Sequence, residues 1–246
     1  MRRDVYALRD FYASPLGGRA RALIARKLVE AWGDAHDLDV LGLGYATPYL
    51  ELFRAAARRT VAAMPAAQGA EPWPLDGRNA VALAEEASLP FVNALFDRVL
   101  VVHALEESDS ALAMLDEARR VMAPSGRLIV ATAARGGLWA RAEHTPFGYG
   151  RPFTRRQLDE LLREAELEPT AWVRTLYVPP SPLLSRWAEP WEQIGQAVLQ
   201  PFAGVILIEA VKRTFAPTAR APAVARVRAP VRGRLQPAGA ATRRGR

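Results

Sequence analysis

The sequence of 246 residues contains no cysteine and only three histidines. The absence of cysteine excludes disulfide bonds, thiolate metal sites and a cysteine nucleophile, and it agrees with a reducing, cytoplasmic location. His36, His103 and His144 are too scattered along the chain to predict a metal-binding cluster. Neither a Walker phosphate loop nor a Gly-x-Ser-x-Gly nucleophile motif is present.

Long hydrophobic runs are also missing. The first ten residues include basic side chains but no apolar segment after them, so we expect no signal peptide. The longest late apolar run, Phe202 to Ile208, stops at Glu209 and is too short to span a bilayer. Because half of all residues are hydrophobic, the chain predicts one sizeable α/β domain or at most two small ones.

Acidic residues are absent from residues 214–246, which carry eight arginines. The net charge of +7 therefore belongs to this tail, and residues 1–213 have a net charge of about −1. The tail is rich in Ala, Pro and Gly without apolar periodicity, so we predict one domain at 1–213 followed by a disordered basic tail. Binding of nucleic acid or an anionic membrane is disfavoured, because no aromatic residue follows Phe215.

The most informative stretch is residues 38–48, with the sequence LDVLGLGYATP. Its apolar residues predict a buried parallel strand, and Gly42 and Gly44 allow a tight turn after that strand. Thr47 is predicted to cap a helix that starts with a proline and runs towards Arg59. The free backbone amides at the start of this helix suit a carboxylate or phosphate, although an ordinary tight turn explains the Gly-x-Gly pattern equally well.

The rest of the chain alternates between helical and strand patterns, as in a doubly wound sheet. A turn is predicted at residues 124–126, where proline, serine and glycine follow one another. The predicted helices are 19–32, 111–122 and one that begins with a capping box formed by Thr154 and Gln157, and the later strands are 60–64, 80–84, 96–103, 128–130, 171–178 and 204–211.

Four features follow one another along the chain, namely the turn at Gly42 and Gly44, the triplet Leu89-Pro90-Phe91, the pair Phe96-Asp97, and the run from Arg119 to Val130. In this order they resemble the class I S-adenosylmethionine-dependent methyltransferases, over roughly residues 38–213. The resemblance implies a Rossmann-like, doubly wound α/β fold. Its seven-stranded sheet would be mostly parallel, with one antiparallel strand near the edge and helices on both faces. S-adenosylmethionine would lie over the carboxyl ends of the first strands.

The resemblance places the cofactor-binding turn at Gly42, Gly44, Tyr45, Ala46 and Thr47. Gly44 keeps the family's glycine. Gly42, however, stands where the family has an acid that holds the cofactor's amino group, and Ala46 stands where it has a second glycine.

The acid that grips the ribose hydroxyls in the family falls near Met64, and no Asp or Glu occurs between Leu52 and Ala70. A charged hydrogen bond is worth roughly 1.5 to 3 kcal/mol, so its loss weakens binding by about ten- to over a hundred-fold unless another group replaces it. Gln68 is a neutral candidate for that replacement, although an ordinary polar loop residue is the favoured interpretation.

The resemblance assigns the adenine contact to Glu85, with Glu86 supplying the neighbouring backbone and Leu89 following. An exposed charged pair before a loop is an equally weighted alternative. His103 would lie at the end of the fourth strand, beside the sulfonium, and is the candidate catalytic base. A packed or hydrogen-bonded structural histidine is the commoner alternative.

Two neighbouring segments are further candidates. Glu106 and Glu107 either face the same cleft as His103 or cap the next helix. The segment Arg135 to Phe153 combines aromatic, glycine and arginine residues, which predicts a substrate-covering loop. The alternative is a long connection that packs its aromatic side chains on the core.

The resemblance implies methyl transfer from S-adenosylmethionine to a small-molecule or undefined acceptor by in-line displacement, without a metal. The missing acids at Gly42 and Met64 support an alternative, which is a catalytically weak or inactive methyltransferase-fold protein with a binding or regulatory role. A nicotinamide-dependent dehydrogenase is disfavoured because its ribose acid is missing as well.

Overall fold

A computed structural model describes residues 3–184, 190–192, 194–195 and 200–213. The predicted tail at 214–246 lies outside the described residues. The helices are α1 (Val5–Ala13), α2 (Pro15–Trp32), α3 (Thr47–Leu50), α4 (Ala111–Val121) and α5 (Arg155–Glu164). The strands are β1 (Asp39–Gly44), β2 (Arg59–Pro65), β3 (Val81–Ala84), β4 (Phe96–Val102), β5 (Met122–Ala133), β6 (Leu167–Thr175) and β7 (Val205–Lys212).

The strands form one seven-stranded sheet in the order β3-β2-β1-β4-β5-β7-β6. Strand β1 pairs in parallel with β2 and β4, whereas β7 runs antiparallel to both β5 and β6. The predicted fold class is confirmed, including the antiparallel strand near the edge. Because β1 to β4 are parallel, their carboxyl ends meet along one side of the sheet, which we call the carboxyl edge.

Strand β1 is buried on both faces, as its continuous apolar run predicts. Val40 belongs to the core layer that includes α1, α2 and α3, whereas Leu41 and Leu43 belong to the layer that includes α4 and α5. Successive side chains of a strand point to opposite faces, so β1 connects the two layers of the core. The glycine turn after β1 therefore starts from the centre of the molecule.

Helix α1 was not predicted from the sequence, and α2 begins earlier than predicted. The Asp4 side chain caps α1 by accepting a hydrogen bond from the backbone of Ala7 at 2.8 Å. Ser14 caps α2 through the backbone of Gly17, and Pro15 occupies its first turn. These are favourable helix starts, because the caps satisfy backbone donors that have no partner within the helix.

Helix α3 corrects the predicted helix towards Arg59, because it is a single turn that ends at Leu50. Thr47 is not its N-cap. Ala46 takes that position, and no side chain caps the helix. The chain then returns through successive turns, since β2 lies parallel to β1 and Arg59 must pair with Asp39 at the opposite end of β1.

The predicted turn at residues 124–126 is also corrected. Helix α4 passes directly into β5, and residues 123–126 bulge outward within that strand. Phe96 pairs with Met122 and Arg98 with Arg127, so four residues of β5 lie opposite Asp97. The proline, serine and glycine therefore bend the strand locally while pairing resumes beyond them.

Gly44 is the residue of the glycine turn whose backbone most clearly requires glycine. Its φ angle is +81°, and a side-chain β-carbon would collide with the carbonyl oxygen of Val102 in β4. The adjacent Tyr45 donates its backbone N–H to that same oxygen at 2.9 Å. The turn is thus held against β4 by a close approach that only glycine permits.

We expect Gly44→Ala to lower the free energy of unfolding by at least about 2 kcal/mol, because the alanine meets both the strained φ angle and the Val102 carbonyl. Gly18→Ala is the matched control. Gly18 lies in α2 with nothing within 4 Å of an added β-carbon, so this change should stabilise by about 0.5 to 1 kcal/mol. Urea denaturation measures both, and equal stabilities of the two variants would contradict this role of Gly44.

Candidate functional site

The carboxyl edge is covered on one face by an aromatic cluster that α1 completes. The Tyr12 hydroxyl is 2.7 Å from Nε2 of His103 and 3.0 Å from the hydroxyl of Tyr49. The Tyr12 ring stacks on the ring of Tyr45, with 5.8 Å between centroids, and Phe147 lies 4.8 Å from the His103 ring. We call these five residues the aromatic plug. It closes the carboxyl ends of β1 and β4.

His103 is a packed and hydrogen-bonded residue in this arrangement. It follows β4 with a φ angle of +50° and is 3 % exposed. Burial, with a smaller contribution from Arg3, lowers its pKa to about 3. The imidazole is therefore neutral at physiological pH and is hydrogen-bonded to Tyr12. These features are those of a packed, hydrogen-bonded structural histidine, and the catalytic role stays a prediction.

A narrow recess lies on the opposite face of the same edge. Its volume is about 10 Å³, which is enough for roughly one water molecule and not for a purine ring. Glu86 lines the recess, whereas Glu85 is exposed. The recess brings together Leu43, Gly44, Ala63, Pro65, Ala84, Glu86, Leu89 and Met114, and so unites several of the predicted cofactor residues.

Packing fills positions 42 and 64, where the resemblance implies acids. A β-carbon at Gly42 would lie 2.6 Å from the β-carbon of Ala46 and 2.8 Å from Leu50. Met64 is completely buried in the core layer of α1 to α3. The positions predicted for the cofactor therefore do not fit S-adenosylmethionine in this conformation, because they offer neither the acidic contacts nor the space.

Gln68, the neutral candidate, is 2 % exposed, and its side-chain amide has no hydrogen-bond partner among the described residues. Its backbone carbonyl accepts a hydrogen bond from Val5 at 3.0 Å. Gln68 therefore attaches the start of α1 to the chain after β2. Burial of an unpaired amide costs free energy, so this is not an ordinary exposed loop residue.

A larger cleft opens beside the glycine turn, between α1 and the chain that follows β2. Its volume is about 570 Å³, and we call it the outer cleft. Thr47 lines this cleft, and the Tyr45 hydroxyl donates to Oε1 of Glu71 at 2.7 Å inside it. Sequence reasoning missed Glu71, although it is the first acid after Glu51 and so the nearest substitute for the missing acid at Met64.

The two glutamates after His103 hold neighbouring backbone and do not cap α4, whose N-cap is Ser110. Oε1 of Glu106 accepts the backbone N–H of Ala133 at 3.0 Å, and burial raises the pKa of this carboxyl. Glu107 accepts the backbone N–H of Arg3 at 2.6 Å. The pair thus attaches the end of β5 and the segment before α1 to the end of β4.

The predicted covering loop packs its largest aromatic side chains on the core. Trp139 is 1 % exposed and donates its indole N–H to the carbonyl of Val178 at 2.7 Å. Phe147 is buried against Trp139 and His103. The ring of Tyr149 stays exposed, with the guanidinium of Arg3 at 4.0 Å above it. This geometry corresponds to the packing alternative for these aromatic residues.

Within the described residues, no group of three or more His, Asp or Glu side chains is placed to hold a metal ion. In the same part of the chain, every helix is too short or too polar to cross a membrane.

Comparison with known proteins gives a family-model match over part of the chain. Residues 30–130 match the family model described as a methyltransferase domain. An uncharacterized protein of Mycobacterium tuberculosis, Rv2003c, is 31% identical over 144 residues, which are 56% of this chain and 49% of the relative. The chain thus spans about half the length of the curated relatives it matches.

Solved structures share the fold at low sequence identity. A Burkholderia thailandensis 1,6-didemethyltoxoflavin-N1-methyltransferase with bound S-adenosylhomocysteine matches with a TM-score of 0.52 and 18% identity, over 77% of this chain and 76% of that chain. A methyltransferase from Archaeoglobus fulgidus matches with a TM-score of 0.54 and 15% identity, over 78% of this chain and 94% of that chain. The (4+2)-cyclase SpnF matches with a TM-score of 0.52 and 19% identity, over 77% of this chain and 80% of that chain.

Residues 30–130 thus match a methyltransferase domain, and the described residues have the sheet order and glycine turn of the class I S-adenosylmethionine-dependent methyltransferase fold.

The buried histidine makes stability depend on pH. In the unfolded chain, His103 becomes protonated below about pH 6.5. In the folded chain, its pKa of about 3 keeps it neutral until the pH is far lower. Stability is therefore complete above pH 6.5 and declines as the pH falls. Between pH 7 and pH 5 this group should remove about 2 kcal/mol from the free energy of unfolding.

Urea denaturation at both pH values of the wild type and of His103→Asn measures this effect. Asparagine tolerates the positive φ angle and does not titrate. His36→Asn, at an exposed position, is the control and should keep the full decline. Glu106 is common to all three proteins. An equal decline in the wild type and His103→Asn would contradict the buried neutral histidine.

Proposed function

We propose that the domain catalyses S-adenosylmethionine-dependent methyl transfer to a small-molecule acceptor, and that the cofactor enters after α1 moves away from the carboxyl edge. The observation that carries this proposal is the glycine turn at Gly44, retained at the end of the central strand of a methyltransferase domain. The bound S-adenosylhomocysteine in the Burkholderia thailandensis enzyme supports the choice of cofactor.

Movement of α1 is required by the packing at the edge. The aromatic plug fills one face of the glycine turn, and the recess on the other face has room for about one water. The plug is held at Tyr12 by two hydrogen bonds, to His103 and to Tyr49. Displacement of α1 breaks these bonds, worth about 0.5 to 1.5 kcal/mol each, and also exposes its buried apolar side chains, so closure of the edge weakens cofactor binding.

A second candidate is a methyltransferase-fold protein that binds a ligand or partner without efficient catalysis. The specific observation in its favour is that packing fills both positions of the missing acids, at Gly42 and Met64. One fold hosts many activities. The (4+2)-cyclase SpnF, which shares this fold, is named for a reaction other than methyl transfer.

Calorimetric titration with S-adenosylmethionine and S-adenosylhomocysteine separates the two candidates. We expect weak binding to the wild type and binding tighter by about five-fold or more to Tyr12→Phe. The phenylalanine keeps the ring but loses the two hydrogen bonds that the cofactor must break. Tyr6→Phe is the matched control in the same helix, because Tyr6 is 59% exposed.

An unchanged affinity in Tyr12→Phe would remove the gating role of α1. If neither the wild type nor Tyr12→Phe bound either compound at millimolar concentration, the methyltransferase proposal would be overturned in favour of the second candidate.

A further inference from the structure

The outer cleft has the size and the lining of a small-molecule site. Its volume of about 570 Å³ falls within the ordinary range for ligand pockets, roughly 300 to 1,000 Å³. Helices α1 and α2 line one wall, the chain after β2 lines the other, and the segment from Tyr45 to Glu51 completes the lining. Tyr12 lines the cleft and also touches His103, so one side chain separates the cleft from the end of β4.

The wall formed by α1 and α2 is cationic. Arg21 projects from α2 as an exposed side chain, and it has no ion-pair partner among the described residues. Arg9 lies opposite Tyr45. Burial raises the pKa of Tyr45, and the guanidinium of Arg9 opposes that rise. Because Arg9 is itself paired with Asp10 at 3.2 Å, Arg21 is the cation available to an anionic ligand.

The opposite wall offers a positioned hydrogen-bond acceptor. Oε1 of Glu71 receives the hydroxyl of Tyr45, whereas Oε2 has no partner among the described residues. Glu51, the other carboxylate of the cleft, is occupied by an ion pair with Arg54 at 2.9 Å. Glu71 is therefore the carboxylate that can accept an N–H or O–H group from a ligand.

Each wall also carries an aromatic ring. Tyr12 and Tyr45 stack on each other and are buried, so the rings open to a ligand are those of Tyr6, which is largely exposed, and Trp73, which is half-buried. Such faces favour a flat ring in the space between the cation and the acceptor. We infer that the outer cleft binds an aromatic acid with a ring hydroxyl or amino group, its acid group near Arg21 and its hydroxyl or amino group at Glu71.

This inference deepens the proposed function. The ligand's role as methyl acceptor rests on the proposed function, whereas its binding does not. The oxygen of a ring hydroxyl group or the nitrogen of a ring amino group is a nucleophile of the kind that methyl transfer requires. The binding itself needs no cofactor. It can therefore be measured separately from cofactor binding.

The test is calorimetric titration of the full chain, without cofactor, with 4-hydroxybenzoate, phenol and cyclohexanecarboxylate. We expect 4-hydroxybenzoate to bind most tightly, because phenol lacks the acid group and cyclohexanecarboxylate lacks the flat ring. Arg21→Gln should weaken the binding of 4-hydroxybenzoate by about five-fold, and Glu71→Gln should weaken this binding by about ten-fold. Arg19→Gln, in the same helix but outside the cleft lining, should leave the affinity unchanged.

Absence of 4-hydroxybenzoate binding would overturn the inference, as would equal binding of the three compounds or an unchanged affinity in both Arg21→Gln and Glu71→Gln. Circular dichroism of each variant establishes that it is folded. If 4-hydroxybenzoate binds as expected while S-adenosylmethionine does not bind, the site stands and the methyltransferase proposal fails. If only the cofactor binds, the inference fails and the methyltransferase proposal stands.

Discussion

The close approach of Gly44 to the carbonyl of Val102 is the constraint on which the carboxyl edge depends. It brings the chain after β1 directly over the end of β4, where the backbone of Tyr45 donates to the same carbonyl at 2.9 Å. Tyr45 consequently lies under Tyr12 of α1 and beside Glu71. A single backbone requirement thus determines where the aromatic plug forms and where the outer cleft opens.

Tyr12 connects the first helix to the centre of the sheet. Its hydroxyl joins two residues that are distant in sequence, Tyr49 after β1 and His103 after β4. The start of the same helix is attached through Gln68 and, just before it, through Glu107. Helix α1 is therefore fixed at both ends to loops of the carboxyl edge, and any ligand that enters this edge competes with those contacts.

The sequence predicted the sheet well because its strands are short apolar runs and its glycine turn is a local pattern. Helix α5 was equally predictable, since the capping box of Thr154 and Gln157 depends only on residues that are close in sequence. The length of α3 could not be predicted, because it depends on the strand register that pairs Arg59 of β2 with Asp39 of β1. Likewise, Glu71 became a candidate only when folding brought it to Tyr45. Contacts between distant residues leave no periodic signal in the sequence.

The neutral residues at positions 42 and 64 and the closure of the edge are two aspects of one packing arrangement. The side chain of Met64 lies in the layer of α1 to α3 and is completely buried, and the space beside Gly42 is taken by Ala46 and Leu50. A carboxylate at either position would be buried without water, and an unpaired buried charge costs several kcal/mol. Neutral residues are thus what a closed edge requires. The carboxylate at Glu71 instead lies half-buried in the outer cleft, where solvent and the Tyr45 hydroxyl stabilise its charge.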